Sequence, residues 1–297
     1  MKKLLIVLLL FVSLTLFANE SIEEKIENKW GIDYSSPEKY LVQGPQSQIP
    51  GEFAEEIDSV VGEIEKFSDL NSVYKYIFRN YEMVPAGGRT IGTMTVEKIL
   101  ENEKLTGCHS AALFLASILR HNNTPAIMVD GANLNFVEEY PNHNGLGGHV
   151  YVEAYIDGQW ILLNSTQGEI AVDYDYSDPV LKGFNDSPYD DPLGNYVMFK
   201  GLDPESYGID RSDKLGVNLI AYAEHLNNKY DVEEYFENYD YDFVKNLNHF
   251  SGSDYVGPDE PKHENFDTDI TPDKSVGPTP PGEVFKGVWD KIKRLFN

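Results

Sequence analysis

The stretch from His149 to Asn164 constrains the fold more than any other, because it has the strongest hairpin pattern in the chain. Apolar and polar residues alternate up to Ile156, Asp157-Gly158 can form a two-residue turn, and a second strand pattern follows it. This turn length sets the register, since an odd loop length would move one strand's side chains to the other face. The register places His149 and Asn164 diagonally on one face, roughly 7–8 Å apart at the backbone and within hydrogen-bonding reach.

The densest apolar stretch runs from Cys108 to Leu119 and predicts the central helix. A helix that is apolar nearly all round is buried, so this helix should form the middle of the domain. Cys108 lies at the predicted N-terminus, where unpaired N–H groups and a partial positive charge favour a thiolate. It is also the only cysteine, so it cannot form an internal disulfide. The alternative is that Cys108 is a small residue of the core.

A cysteine at a helix N-terminus, a histidine on a strand and a polar residue on the adjoining strand form the layout of a Cys-His-Asn triad. Cys108 would attack a carbonyl carbon, and His149 would take the thiol proton and later return it to the leaving amine. Asn164 would hold the imidazole in the required tautomer.

An attacked carbonyl also needs hydrogen-bond donors for its developing negative charge. The backbone N–H of Cys108 can supply one of them. A second donor is sought upstream, where Asn80, Tyr81 and the Gly87-Gly88 loop are the candidates.

His109, next to Cys108, raises the question of a metal site. Adjacent helix positions point in different directions, and no second pair of ligands at metal spacing appears in the sequence. We therefore expect neither a metal nor a cofactor.

Several segments, in this order, resemble the transglutaminase-like superfamily. They are Leu105-Thr-Gly-Cys-His-Ser-Ala-Ala, Thr124-Pro-Ala, Gly148-His-Val-Tyr-Val-Glu and Asp157-Gly-Gln-Trp-Ile-Leu-Leu-Asn-Ser-Thr. The resemblance covers about residues 70–170 and implies a papain-like core, in which a buried helix with the cysteine packs on a sheet with histidine and aspartate. This chain departs at Asn164, where the family usually has Asp in a Trp-x-x-x-Asp-Pro-Thr stretch. Papain-like proteases have Asn in that role, but a neutral side chain stabilises an imidazolium less than a carboxylate does.

The predicted fold class is α+β: a papain-like core whose cysteine helix packs on an antiparallel sheet, followed by a loop-rich C-terminal elaboration. Residues 52–82 have helical periodicity, Ala126–Val129 fits a buried strand, and a helix is expected over Lys214–Lys229. The segments Gly131–Gly148 and 170–212 are rich in Gly, Asn, Asp or Pro and are expected to be loops.

The domain organisation follows from composition. We expect a signal peptide at 1–18, a transglutaminase-like domain at 19–250 with its core at about 70–170, a disordered linker at 251–282 and an amphipathic helix at 283–297, with a weaker helix at 232–250. The linker is rich in Pro, Asp, Gly and Thr and has almost no aliphatic residues.

The N-terminal segment predicts export. Lys2 and Lys3 precede an apolar run that ends at Phe17, and Ala18 offers a small residue for cleavage. The run is shorter than the ~20 residues of a membrane span. We therefore expect a periplasmic, cell-envelope or secreted protein, with an uncleaved anchor as the alternative.

Charge limits the choice of partners. The chain has 49 acidic and 24 basic residues, a formal net charge of −25, and it lacks the clustered Lys and Arg that phosphate binding requires, so nucleic acid is not an expected partner. Residues 283–297 are the exception, since they place Trp289 and other apolar residues on one helix face and basic residues on the other. Such a helix predicts docking on a membrane surface or a partner, or it folds back onto the acidic domain.

The leading functional hypothesis is an exported thiol enzyme that attacks peptide or isopeptide amides of protein or peptide substrates and forms a thioester. Hydrolysis by water and transfer to an amine both remain open. The rival hypothesis is a catalytically inactive protein that has kept the fold and uses it for binding.

Overall fold

The computed structural model describes residues 21–84, 87–142, 146–172, 174–181 and 194–229. The predicted signal peptide, the weaker helix at 232–250, the linker and the C-terminal helix lie outside the described residues, so these assignments stay predictions. Within the described ranges, no helix has the length and apolar character needed to cross a membrane.

Helices and strands are mixed along the described chain. The α-helices are α1 (Ile22–Glu27), α2 (Gly51–Val61), α3 (Leu70–Asn80), α4 (Val96–Asn102), α5 (Cys108–His121), α6 (Leu134–Glu139) and α7 (Ser212–Lys229). The strands are β1 (Glu82–Met83), β2 (Lys104–Leu105), β3 (Ala126–Asn133), β4 (Gly148–Ile156), β5 (Gln159–Asn164), β6 (Glu169–Ala171), β7 (Val180–Leu181) and β8 (Asn195–Gly201). Short 3-10 turns cover Lys29–Gly31, Pro37–Tyr40, Phe67–Asp69 and Gly87–Thr90.

The main sheet has six strands in the order β6-β5-β4-β3-β8-β7, and all neighbouring strands are antiparallel. It curls around the central helix α5, which packs against β3 and β4. β1 and β2 form a separate, small parallel pair. The α+β class, with an antiparallel sheet against a buried cysteine helix, is therefore confirmed.

The central helix is buried because its sequence is apolar on nearly every side. All residues from Ser110 to Arg120 are buried, and Phe114, Leu115 and Ile118 have no exposed surface. Each fully buried side chain of this size contributes about 1.5–3 kcal/mol relative to an exposed one. This burial fixes the helix axis, and with it the position of Cys108 at the helix N-terminus.

The hairpin has the predicted register. Ile156 pairs with Gln159 and Val152 with Leu163, and the two turn residues have the positive φ values that a tight hairpin turn requires, 53° at Asp157 and 79° at Gly158. The two-residue turn is therefore confirmed, and with it the face on which the side chains of β4 and β5 lie.

Two loop predictions were wrong in part. The segment Gly131–Gly148 contains the end of β3 and the helix α6, and the segment 170–212 contains β8, an inner strand of the sheet between β3 and β7. β8 includes Lys200, a residue that sequence patterns assign to the surface. Here it is buried because a carboxylate lies beside it.

That carboxylate belongs to Glu153 on β4. The Lys200 ammonium donates to Glu153 Oε1 at 2.6 Å, and neither side chain is exposed. Tyr174 donates to the same oxygen at 2.6 Å, Tyr34 donates to Oε2 at 2.8 Å, and the carbonyl of Tyr176 accepts from Lys200 at 2.8 Å. The cluster attaches the N-terminal segment and the segment before β7 to the sheet, because Tyr34 belongs to the first of these segments and both Tyr174 and Tyr176 belong to the second.

Candidate active site

Cys108 is the first residue of α5 and is partly buried. Gly107 before it has φ 123° and ψ −170°, a conformation that favours glycine because it has no Cβ. The first N–H groups of a helix have no partner inside the helix. Thr106, Gly107 and Cys108 line one cleft, so the backbone at this helix end borders the space in which a carbonyl oxygen would lie.

His149 and Asn164 lie together as the hairpin register requires. His149 Nε2 is 3.0 Å from Asn164 Oδ1, and the Asn164 amide donates to Glu169 Oε2 at 2.8 Å. Thr166 also donates to Asn164 Oδ1, at 2.9 Å from its hydroxyl. A carboxylate only accepts hydrogen bonds, so Glu169 holds the NH₂ group of Asn164 and turns Oδ1 toward the imidazole. The proton of a neutral His149 therefore lies on Nε2, and the Nδ1 lone pair is left to act as a base.

The imidazole of His149 also lies within hydrogen-bonding reach of the Cys108 sulfur. Burial raises the pKa of the Cys108 thiol, but hydrogen bonds from His109 and His149, together with the positive charge of the two imidazoles, outweigh burial and lower it to about 5. At neutral pH the sulfur is therefore a thiolate, the form that acts as nucleophile. The three residues predicted from the sequence are thus in one place.

His109 has a contact that sequence reasoning missed. Its Nδ1 is 3.8 Å from the Cys108 sulfur, and its Nε2 is 2.8 Å from Asp130 Oδ2. Asp130 lies on β3 beside a register shift between β3 and β8, and such irregularities re-aim side chains next to functional sites. The sequence pattern shows that residues 108 and 109 are adjacent, but only the sheet brings Asp130 to them.

A cleft of about 300 Å³ opens beside Cys108. Its walls are largely apolar, with the cysteine and its neighbours at one side. The lining residues include Gly88, Arg89, Thr90, Ile91, Asp130, Leu146, Gly148, Leu215 and Leu219. A bound peptide could place a carbonyl at the sulfur and an apolar side chain against these walls.

Of the candidates for a second oxyanion donor, only the glycine loop lies at this cleft. Gly88 is among its lining residues. The Asn80 amide donates to the Tyr76 carbonyl at 2.8 Å, and the Tyr81 hydroxyl lies 3.1 Å from the Tyr76 hydroxyl in the core. Tyr151, on the strand of His149, is fully buried and accepts from Asn195, so its role is packing.

Residues 52–165 match the family model of the transglutaminase-like superfamily. Among solved structures, a presumed cysteine protease from Cytophaga hutchinsonii is 17% identical with a TM-score of 0.41, over 60% of this chain and 50% of that one. A presumed protease from Parabacteroides distasonis is 15% identical with a TM-score of 0.29, over 46% and 28% of the two chains. A TGase is 13% identical with a TM-score of 0.26, over 50% and 34%. The chain thus spans half or less of each of these structures, and no curated protein matches it.

The matched segment begins in α2 and ends just after β5. It contains Cys108, His149 and Asn164, the residues whose contacts define the site, while β8 and α7 follow it in the chain. The similarity to the transglutaminase-like superfamily therefore covers residues 52–165, the part of the chain that contains all three of these residues.

Proposed function

We propose that this chain is an exported thiol enzyme that attacks amide carbonyls of peptides through Cys108. The observation that carries the proposal is the contact between the Cys108 sulfur and an imidazole, His149, whose tautomer Asn164 fixes. The family match supports acyl chemistry, and the position of Cys108 at a helix N-terminus supports a nucleophilic sulfur.

The reaction begins from the Cys108 thiolate, with the proton of the thiol held on His149. The sulfur attacks the carbonyl carbon, a C–S bond forms, and the carbonyl π electrons move to the oxygen, toward which the Cys108 N–H donates. His149 then gives its proton to the amide nitrogen as the C–N bond breaks, so an amine leaves and a thioester remains. Water or a second amine attacks the thioester and loses a proton to His149, and the thiolate leaves.

The cleft supports a substrate whose acyl side carries an apolar side chain. Ile91, Leu146, Leu215 and Leu219 line it beside the sulfur, and apolar pockets of this kind take up apolar groups from water. The exposed Arg89 borders the same cleft, where its guanidinium can contact a carboxylate of the peptide. We therefore propose peptide substrates with an apolar residue next to the reacting carbonyl.

Export is part of the proposal because of the charged, then apolar, N-terminal segment. A reactive thiol that has no second cysteine can stay reduced in an oxidising compartment, since no internal disulfide competes for it. Detection of the mature chain outside the cytoplasm by cell fractionation would support this part, and recovery of an unprocessed cytoplasmic chain would contradict it.

The test is a product assay with a peptide mixture, in which half of the samples also contain a small primary amine. The wild-type protein is expected to shorten peptides, or to attach the amine to them, and mass spectrometry of the products separates hydrolysis from transfer. Cys108→Ala should form neither product, because the nucleophile is absent. If wild type and Cys108→Ala give identical products, the enzyme proposal fails and a binding role becomes the better account.

A further inference from the structure

The Cys108 sulfur lies between two imidazoles, and each imidazole has its own partner on the sheet. His149 is held by Asn164, a neutral amide, at 3.0 Å. His109 is held by Asp130, a carboxylate, at 2.8 Å. The two arrangements thus differ in charge, although both direct a ring nitrogen toward the same sulfur.

The charge difference decides which imidazole is the more stable cation. An amide oxygen accepts the N–H of an imidazolium but adds no negative charge, so Asn164 stabilises protonated His149 less than a carboxylate would. Asp130 is only 1% exposed at its side chain, and a buried carboxylate without a cation costs several kcal/mol. Protonated His109 removes this cost by forming a buried ion pair with it.

One of the effects that oppose protonation of His109 is small. His109 lies in the first turn of α5, where the helix dipole disfavours a cation only weakly. Burial lowers the pKa of His109 further, but the charge and hydrogen bond of Asp130, followed by the contact with Cys108, outweigh burial and raise it to about 10. The ion pair therefore persists at neutral pH.

The other charged or titratable groups that the structure describes around the sulfur do not supply a competing charge. Tyr207 donates to Asp130 Oδ2 at 3.5 Å, and burial, followed by the charge of Asp130, raises the pKa of this phenol well above its ordinary value. It stays neutral at physiological pH. Asp203 is buried and its charge also raises the pKa of Tyr207, and Arg89 is exposed at the cleft rim.

We propose that His109, held by Asp130, is a positioning residue that supplies a fixed positive charge and keeps the Cys108 sulfur ionised whatever the protonation state of His149. The role rests on the proposed thiol chemistry and divides it between two histidines. His149 carries the proton from the thiol to the leaving amine, while His109 keeps its own proton throughout. The carboxylate that is absent at position 164 is thus replaced by Asp130, which acts on the sulfur through His109.

The direction in which the reactivity of Cys108 depends on pH follows from its lowered pKa and from the raised pKa of His109. Cys108 binds a proton only when the pH falls through about 5, and His109 releases one only when the pH rises through about 10. The thiolate and the His109 cation therefore coexist between these limits. Loss of the cation should move the thiolate boundary upward, so that reactivity is lost at pH 6 and retained at pH 9.5.

The test is the rate at which iodoacetamide alkylates the full chain, measured against pH by intact mass. Cys108 is the only cysteine, so each alkylation event reports on this sulfur. His109→Gln and Asp130→Asn are expected to slow alkylation at pH 6 by at least about tenfold, which corresponds to a rise of the thiol pKa from about 5 to about 7. Their rates at pH 9.5 should equal the wild-type rate, a recovery that misfolding would not give.

Two controls make the result specific. His121→Gln changes a histidine at the far end of the same helix, where it pairs with Asp58 on the surface, and should leave the whole profile unchanged. His149→Gln should move the profile less than His109→Gln does. An unmoved profile in His109→Gln, or a larger shift in His149→Gln, would overturn the assignment. The expected profile together with no acyl-enzyme from any peptide would instead reject the proposed function and leave the His109 assignment standing.

Discussion

His149→Gln is expected to lower the rate of amide cleavage or acyl transfer by at least about 10³-fold, the scale of losing a general acid–base. The imidazole both accepts the thiol proton and protonates the leaving amine, and among the described residues no other group in contact with the sulfur replaces the second function. His109 is a poor substitute, because Asp130 stabilises its cation and raises its pKa to about 10, so it does not readily give up a proton. Initial rates of product formation, measured at saturating peptide, give the ratio directly.

A matched control variant is measured in the same assay as His149→Gln. His121→Gln, which alters a surface histidine on the cysteine helix, should retain the wild-type rate and show that loss of a histidine is not itself harmful. If His149→Gln kept more than a tenth of the wild-type rate, His149 would not be the general base, and the triad account of the site would be wrong.

The largest expected loss of stability comes from Lys200→Met. This change leaves the buried carboxylate of Glu153 with the hydroxyl groups of Tyr34 and Tyr174 but without its cation. Breaking one side of a buried ion pair typically costs 3–5 kcal/mol, so the free energy of unfolding should fall by about that amount. Urea denaturation followed by tryptophan fluorescence measures the change.

The double variant Lys200→Met with Glu153→Gln separates charge from packing. It removes the uncompensated carboxylate and retains hydrogen-bonding capacity for both tyrosines, so it should recover at least about half of the lost stability. Equal losses in the single and double variants would show that packing of the lysine side chain, and not the ion pair, stabilises this part of the sheet.

The parts of the site that could be predicted depend on local patterns. A two-residue turn fixes which residues of the two strands pair. This register alone places the side chains of His149 and Asn164 on one face of the sheet. An apolar run of helical length fixes a buried helix, and its first residue is Cys108. Both inferences use neighbours in the sequence, so they needed no knowledge of the rest of the fold.

The parts that could not be predicted depend on contacts between distant segments. The composition of segment 170–212 predicts a loop, and Glu153, which compensates the buried Lys200 of β8, lies 47 positions earlier in the chain. The contact between His109 and Asp130 requires the packing of α5 on β3. Glu169, which orients Asn164, is likewise brought there by the pairing of β5 with β6.

The site also accounts for the departure from the family at Asn164. Glu169 accepts from its amide at 2.8 Å, so a carboxylate lies one hydrogen bond behind the position where the family usually has one. Asp130 supplies a second carboxylate through His109. Each histidine of the site is thus linked to a carboxylate, His149 to Glu169 through Asn164 and His109 to Asp130 directly.

The most direct test of the central claim is the mass of Cys108 itself after a brief reaction. Wild-type protein is mixed with the reactive peptide fraction, quenched in acid within the first turnover, and digested for mass spectrometry. We expect an acyl group on the peptide that contains Cys108, accumulated further in His149→Gln with an activated ester substrate and absent in Cys108→Ala. An acyl group that forms elsewhere, or that also forms in Cys108→Ala, would contradict the assignment of Cys108 as the nucleophile.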